Sequence, residues 1–424
     1  MVALMSPRVT IDGATGSLVV GGKKFFPIGL SNPPPPGSKT PNGVDGLKEV
    51  RGNGVNFVRT GIQDWAIGGA DSNISKQQGL HKSISDSGLF HWLWLGTVPN
   101  FRGTSVADST SMLTKLVSSF RNDDSLLAYK GIDEPLHGKV DPGGMIDAFK
   151  KLKALDPDHP VVVIQAPTGT VANLKKYTPA FDITGIDIFP VAYPPGKHSD
   201  LGISDINVVG AVARRIREAA HPKPFWMTLQ IAWSGVAARK NDRPNVVPRF
   251  PTLQQERFMA YQAIVNGARG LTFFGGHMLQ VMKPDDAARG WNWTFWRTVL
   301  RPVVSELASD DVSPALVAPD VTPGVKVRSP NVKQMELVTR KAGRFLYVIA
   351  VRIAEGPSKI KFTGVPNRAN GQPVKSGEVL NEWAQATLPP PITGNQALRR
   401  VTVTDGGFED WFGPHDVHVY RFAL

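Results

Sequence analysis

Residues 126–135 read Leu126-Leu127-Ala128-Tyr129-Lys130-Gly131-Ile132-Asp133-Glu134-Pro135. The apolar run reads as a buried strand, and a pair of carboxylates follows where it ends. Pro135 has no N–H, so a strand ladder cannot continue through it. Gly138 and the loop Asp141-Pro142-Gly143-Gly144 then carry the chain towards a helix. A parallel strand that ends in acidic side chains before turning into a helix is the arrangement in which α/β barrels place their chemistry.

Working outward, short apolar runs alternate with amphipathic segments. The expected strands are Phe25–Leu30, Val55–Thr60, Phe90–Leu95, Leu126–Ile132, Val161–Ile164, Ile183–Phe189, Phe225–Gln230 and Leu271–Phe274. The expected helices are Val44–Gly52, Ser75–Ser87, Ser109–Phe120, Met145–Leu155, Val171–Tyr177, Ile206–Ala220, Leu253–Asn266 and Trp291–Leu307. Thr252 and Gln255 form a capping box for the seventh helix, and Gly267 stands where it should stop. Repeated strand-then-helix units with uniformly apolar strands argue for a (β/α)₈ barrel over residues 25–310. Residues 1–24 lead into it as a β-hairpin, with turns at Asp12-Gly13 and Gly21-Gly22. Ser309–Pro323 reads as a linker. The runs Val325–Val327, Gln334–Thr339, Phe345–Val351, Lys359–Phe362, Arg399–Thr404 and Asp416–Phe422 then alternate with period two, so residues 311–424 are expected to form an antiparallel β-sandwich.

Composition sets outer bounds. The 424 residues are 41% hydrophobic, ample for a large core and a smaller one, and Gly 42 and Pro 35 show no collagen-like period. With Cys at 0 there is no disulfide and no thiolate metal site. The formal charge is +12, but clusters such as Lys23-Lys24, Arg214-Arg215 and Arg399-Arg400 are short and scattered, so no nucleic-acid partner is expected. No apolar stretch reaches the ~18 residues of a membrane span. The segment Met1–Arg8 lacks the pattern of a signal peptide. The expected location is secreted or periplasmic, with a signal already removed, and the cytoplasm stays open. The oligomeric state is not legible.

Glycosidic cleavage needs a proton donor beside the leaving oxygen and a second carboxylate that serves water or the sugar carbon. Glu134 is the candidate donor. The plainer reading of Asp133-Glu134 is a pair of acids at a helix start, favoured by the macrodipole. Its place after an apolar strand in an eightfold pattern favours catalysis. Asp187, in Asp182-Ile-Thr-Gly-Ile-Asp187-Ile-Phe-Pro190, is the candidate second carboxylate, opposite in phase to Ile186 and Ile188; the plainer reading is a structural acid paired with an Arg or Lys below the site. Substrate contacts are expected from Asp133, Arg59, Gln230, Trp233, His137, His277 and Trp291. Gln230 at the end of the seventh strand either binds a sugar hydroxyl or ties loops together. Trp65, Trp94, Trp233, Trp291 and Trp293 fall on expected mouth loops, where aromatic rings stack on sugar faces, whereas Trp92 and Trp296 read as core. The histidines show no metal spacing, and no phosphate loop or G-x-S-x-G elbow is present. No metal or organic cofactor is expected.

Taken together, the chain resembles clan A type glycoside hydrolases, (β/α)₈ barrels that carry a C-terminal β-sandwich. Gly21-Gly-Lys-Lys-Phe-Phe-Pro-Ile-Gly29 is similar to their first strand, and Ala128-Tyr-Lys-Gly-Ile-Asp-Glu-Pro135 to their fourth, which commonly ends in Asn-Glu-Pro and sometimes in Asp-Glu-Pro. Arg59 matches their second-strand arginine, and Gln262–Gly270 resembles the passage from helix seven to strand eight. The resemblance implies that Glu134 is the acid/base. It also implies a nucleophilic Glu at the end of strand seven, where this chain has Gln230 and no acid between Pro222 and Lys240. The expectation is therefore a hydrolase of oligo- or polysaccharides that inverts through Asp187 or draws on another acid, Glu256 or Asp64. The alternative is a saccharide-binding protein that cleaves nothing.

Overall fold

The computed structural model describes residues 9–102, 105–192, 199–232, 249–275, 293–382 and 399–424. Eight parallel strands close into a barrel: β4 (Ile28–Leu30), β5 (Phe57–Gly61), β6 (Phe90–Trp94), β7 (Leu126–Lys130), β8 (Val161–Gln165), β9 (Ile183–Ile188), β10 (Phe225–Gln230) and β11 (Leu271–Phe274). All eight expected strands are present, most with ends shifted by a residue or two; the first starts at Ile28, three residues later than expected, because Phe25 belongs to β3 (Lys23–Phe25) of the N-terminal sheet.

The helices between them follow the sequence signals. They are α1 (Gly46–Gly52), α2 (Ala70–Asp86), α3 (Val106–Phe120), α4 (Pro142–Leu155), α5 (Val171–Lys175), α6 (Val208–Ala220) and α7 (Leu253–Val265). Both halves of the Thr252/Gln255 capping box form. The stretch expected as a loop at 141–144 instead starts α4, because the Asp141 side chain caps the Gly144 N–H and Pro142 occupies the first turn. The eighth helical segment runs over 293–308 with a π-helical turn at Trp296–Leu300.

The N-terminal piece is a three-stranded antiparallel sheet, β1 (Val9–Ile11), β2 (Leu18–Val20) and β3 (Lys23–Phe25), rather than a hairpin leading straight into the barrel. Each of its turns reverses the chain, and Pro27 separates Phe25 from β4. Val9 and Leu18 pack against Phe57, Trp92, Leu127, Ala128 and Trp226, so the sheet plugs the N-terminal end of the barrel. The indole rings of Trp92 and Trp226 stack at 6.0 Å, and Phe57 meets Trp92 edge-on at 5.4 Å. Burying each such ring contributes about 1.5–3 kcal/mol. Gly29 is required beside them, since a Cβ there would lie 2.2 Å from the Phe57 ring.

The C-terminal region contains the expected antiparallel sheets. One is β12 (Lys326–Val327), β15 (Ser358–Thr363) and β20 (Gly407–Phe412); the other is β13 (Met335–Ala342), β14 (Phe345–Arg352), β21 (Val417–Ala423), β18 (Ser376–Leu380) and β19 (Arg400–Thr402). A short ribbon, β16 (Arg368–Ala369) and β17 (Gln372–Pro373), hangs beside them. The core is continuous across the junction: Tyr347, Ile349, Val351, Val417 and Val419 pack in the same cluster as α6 and α7. The expected linker is partly a buried helix, Ser313–Leu316, with Ala315 and Leu316 fully enclosed. Buried Arg257 of α7 clamps Glu306 with two bonds of 2.7 Å and also donates to the Val417 carbonyl at 2.7 Å.

Candidate active site

Strand alternation decides which side chains reach the barrel mouth. Phe57, Trp92 and Ala128 point inward at the closed end, so Arg59, Trp94 and Lys130, two residues later on the same strands, point inward at the open end. Ile186 and Ile188 pack outward in the main core, which sends Asp187 inward.

After Lys130 the chain leaves the sheet. The Gly131 N–H still donates to the Val162 carbonyl at 2.8 Å, and the Glu134 N–H to the Ile164 carbonyl at 2.8 Å. Glu134 itself sits at φ 46°, a left-handed conformation that a side chain with a Cβ adopts reluctantly. The turn behind it is well held. The Glu134 carbonyl accepts from Gly138 at 2.9 Å, Pro135 from Val140 at 2.9 Å, and the Tyr177 hydroxyl donates to the Val140 carbonyl at 2.8 Å. Strain at this one residue is therefore sustained by its surroundings, and it directs the carboxyl across the mouth.

There Glu134 meets Asp187. The carboxyl groups are close enough to share a hydrogen bond. Burial pushes the Asp187 carboxyl well above its ordinary range, and the neighbouring charges of Glu134 and Asp133 push it the same way. Its Oδ1 is enclosed and has no hydrogen-bond partner among the described residues. Two unit charges at ~4 Å repel by about 4 kcal/mol at an effective dielectric of about 20, which adds to burial in favouring the neutral form of Asp187.

A cationic floor lies beside the pair. Lys130 is 3% exposed, and its Nζ lies 2.5 Å from Asp133 Oδ1. The Lys130 Nζ is 4.8 Å, and the Arg59 guanidinium carbon 5.2 Å, from the centre of the Trp94 ring. Burial lowers the affinity of both cations for their protons, and Asp133 opposes that for both. Asp133 is 44% exposed at its side chain and so serves first as the counter-ion of Lys130. Lys130 went unremarked in the sequence because a lone lysine closing an apolar run reads as a strand end. Its phase with Ala128 was the available signal.

Gln230 takes the second of its alternative roles. Its amide nitrogen donates to the Val191 and Ala232 carbonyls, both at 2.9 Å, and its oxygen accepts the Val191 N–H at 2.7 Å. The side chain is 2% exposed and fully occupied by backbone, so it locks the segment after β9 to the end of β10 instead of offering an amide to a sugar. Gln165, at the end of β8, steadies the Glu134 turn in a similar way through the Leu136 N–H, at 3.4 Å. His137 lies exposed on the turn after Pro135. Trp65 departs from expectation. It is 6% exposed, packs with Leu93 and Leu113, and donates its indole N–H to the Trp94 carbonyl. Trp293 is likewise buried, and Trp92 and Trp296 are core as expected. Trp233, His277 and Trp291 lie outside the described residues. Glu256, the reserve acid, is enclosed at the start of α7 with neither carboxyl oxygen partnered among the described residues, and burial raises its pKa well above the ordinary value.

No protein-family model and no curated protein sequence matches this chain. Solved structures do. A structure described as a glycoside hydrolase aligns over 99% of this chain and 97% of its own, with a TM-score of 0.61 at 11% identity. A family 5 glycoside hydrolase from Bacteroides vulgatus aligns over 98% and 93%, TM-score 0.61, at 12% identity. A family 30 endoxylanase from Clostridium papyrosolvens aligns over 98% and 100%, TM-score 0.51, at 13% identity. The fold is that of the clan A glycoside hydrolases. At this identity the likeness concerns the scaffold, barrel and sandwich together; the chemistry rests on the residues at the mouth.

Proposed function

We propose that this protein hydrolyses an O-glycosidic bond of an oligo- or polysaccharide, with Glu134 and Asp187 as its carboxyl pair. The observation that carries the reading is the meeting of these two carboxyls at the C-terminal mouth of an eight-stranded barrel, where burial and the charge of Glu134 favour the neutral form of Asp187. Acid/base hydrolysis needs one protonated and one ionised carboxyl, and mutual repulsion in a buried pair supplies that combination.

Carboxyls that meet directly leave no room between them for a sugar carbon or an attacking water. A sugar must therefore part the carboxyls, with the glycosidic oxygen replacing Asp187 as the partner of Glu134. As the two part, Asp187 passes its proton to Glu134, and Glu134 gives it to the leaving oxygen as the bond to the anomeric carbon breaks. Asp187, left ionised, takes a proton from the water that attacks that carbon from the other face. Gln230 leaves β10 without a nucleophile, which favours inversion. Arg59 and Lys130, fixed against Trp94, balance the negative charge of Asp133 and set the field in which the pair titrates.

The test is sugar release from a broad glycan panel by the wild type, Glu134→Gln and Asp187→Asn, with the anomeric product read by NMR. The reading expects release by the wild type, inversion, and losses of about 10²–10⁴-fold in each variant. The backbone lock at Gln230 and the contact between the carboxyls favour a second reading, a barrel that binds saccharide without cleaving it. Wild type and variants equally inert, with glycan binding retained, would establish that second reading.

A further inference from the structure

Behind Arg59, on the outer wall of the barrel, is a cluster that the proposed chemistry does not use. His81 of α2 and His91 of β6 lie with their rings 3.7 Å apart. Nδ1 of His81 and Nε2 of His91 both face one oxygen, Asp123 Oδ2, at 2.9 and 3.1 Å. Their other nitrogens both face the Thr60 hydroxyl, at 2.9 and 3.2 Å. That hydroxyl also lies 3.1 Å from the Trp92 carbonyl, to which it can only donate. The imidazoles are 2% and 0% exposed.

Protons do not suffice for these contacts. Each needs one hydrogen between its heavy atoms, so five contacts need five, whereas two neutral imidazoles and one hydroxyl carry three. Charging His81 adds a fourth. It satisfies the four ring contacts only by turning the Thr60 hydroxyl towards His91, which leaves the Trp92 carbonyl facing a bare oxygen. Charging both rings would stack two cations 3.7 Å apart in an enclosed space.

A divalent cation settles the count. We propose that His81 Nδ1, His91 Nε2 and Asp123 Oδ2 form a binding site for a zinc-class divalent cation that ties α2 to the barrel wall. These atoms lie within 4.8 Å of one another. With metal in place, each neutral imidazole turns its remaining N–H to Thr60, and Thr60 donates to Trp92, so every contact is met. Such partners behind the ligands fix ring orientation. The other Asp123 oxygen is already held, by the Ser125 N–H at 2.9 Å and its hydroxyl at 2.7 Å. Metal–ligand distances of about 2.0–2.2 Å require the carboxylate to draw back by roughly 1 Å. The Asp123 side chain is 20% exposed, which leaves a side from which water can complete the coordination. Two imidazoles and one carboxylate suit zinc better than magnesium or calcium. The ligands come from residues 81, 91 and 123, too far apart in the chain to show metal spacing. Thr60 follows Arg59 and points the opposite way, so the metal would brace the strand that carries the mouth arginine.

The test uses the full chain, stripped with chelator and titrated with zinc chloride by calorimetry and thermal melting. The proposal expects one zinc per chain and a rise in Tm. His81→Gln and Asp123→Asn should abolish both, and Thr60→Val should weaken binding about 10–100-fold. Imidazole ¹⁵N shifts of the wild type give the same answer without a variant, since bound zinc moves one nitrogen of each ring. Absence of stoichiometric uptake, variants that bind like the wild type, or ¹⁵N shifts of a charged His81 unaffected by zinc would each overturn it.

Discussion

Gln230→Glu introduces the residue that the resemblance to clan A glycoside hydrolases implies at the end of the seventh barrel strand, and the geometry expects it to fail. The amide nitrogen donates to two enclosed backbone carbonyls, those of Val191 and Ala232, and the oxygen takes the Val191 N–H. A carboxylate keeps the last of these and sets an acceptor against both carbonyls. Each buried acceptor left without a donor costs about 1–3 kcal/mol, so the loss is about 2–6 kcal/mol. Protonation of the new carboxyl recovers one bond and brings the loss to the lower end. Urea unfolding monitored by tryptophan fluorescence measures it, with sugar release assayed in parallel. Wild-type stability together with faster sugar release would refute the reasoning, because it would mean that position 230 is an empty nucleophile seat and not a backbone lock.

Other consequences follow from the buried networks. Glu306→Ala strands the Arg257 guanidinium at the junction between barrel and sandwich and is expected to destabilise by about 3–5 kcal/mol. The double variant Arg257→Met/Glu306→Leu should recover most of that in the same denaturation assay. In the sandwich, burial favours the neutral form of Asp410, but bonds from His418, Arg399 and Tyr420 outweigh it and hold the carboxyl below its ordinary pKa. The sign is that of a depressed acid. Its stabilisation is complete above the unfolded value of about 3.9 and is lost as pH falls through the lower folded value. Asp410→Asn should therefore lower Tm near neutral pH and narrow the gap to the wild type in strong acid.

The barrel was legible because its signals are local: apolar runs of strand length, capping residues and turn glycines. The sandwich was only partly so. The strands β18 and β20 escaped notice, and in β20 the inward position between Phe408 and Phe412 is Asp410, a polar residue that breaks the alternation and is intelligible only with its partners from β21 and Arg399. The site divides along the same line. Glu134 and Asp187 declared themselves by type and phase at strand ends. Their mutual contact, the lysine beneath them and the Gln230 lock depend on how neighbouring strands are staggered, which no single segment encodes. Trp65 shows the converse: a loop position suggested a sugar platform, and packing against the third helix buried it.

Carboxyl ¹³C NMR across the neutral range tests most directly whether Asp187 is held protonated beside Glu134. The prediction is a single carboxyl that stays protonated well above the ordinary range, owing to Asp187's burial and its neighbour's charge, and whose titration moves down in Glu134→Gln. Both carboxyls fully ionised at neutral pH, or an Asp187 titration unmoved by the loss of Glu134's charge, would contradict it.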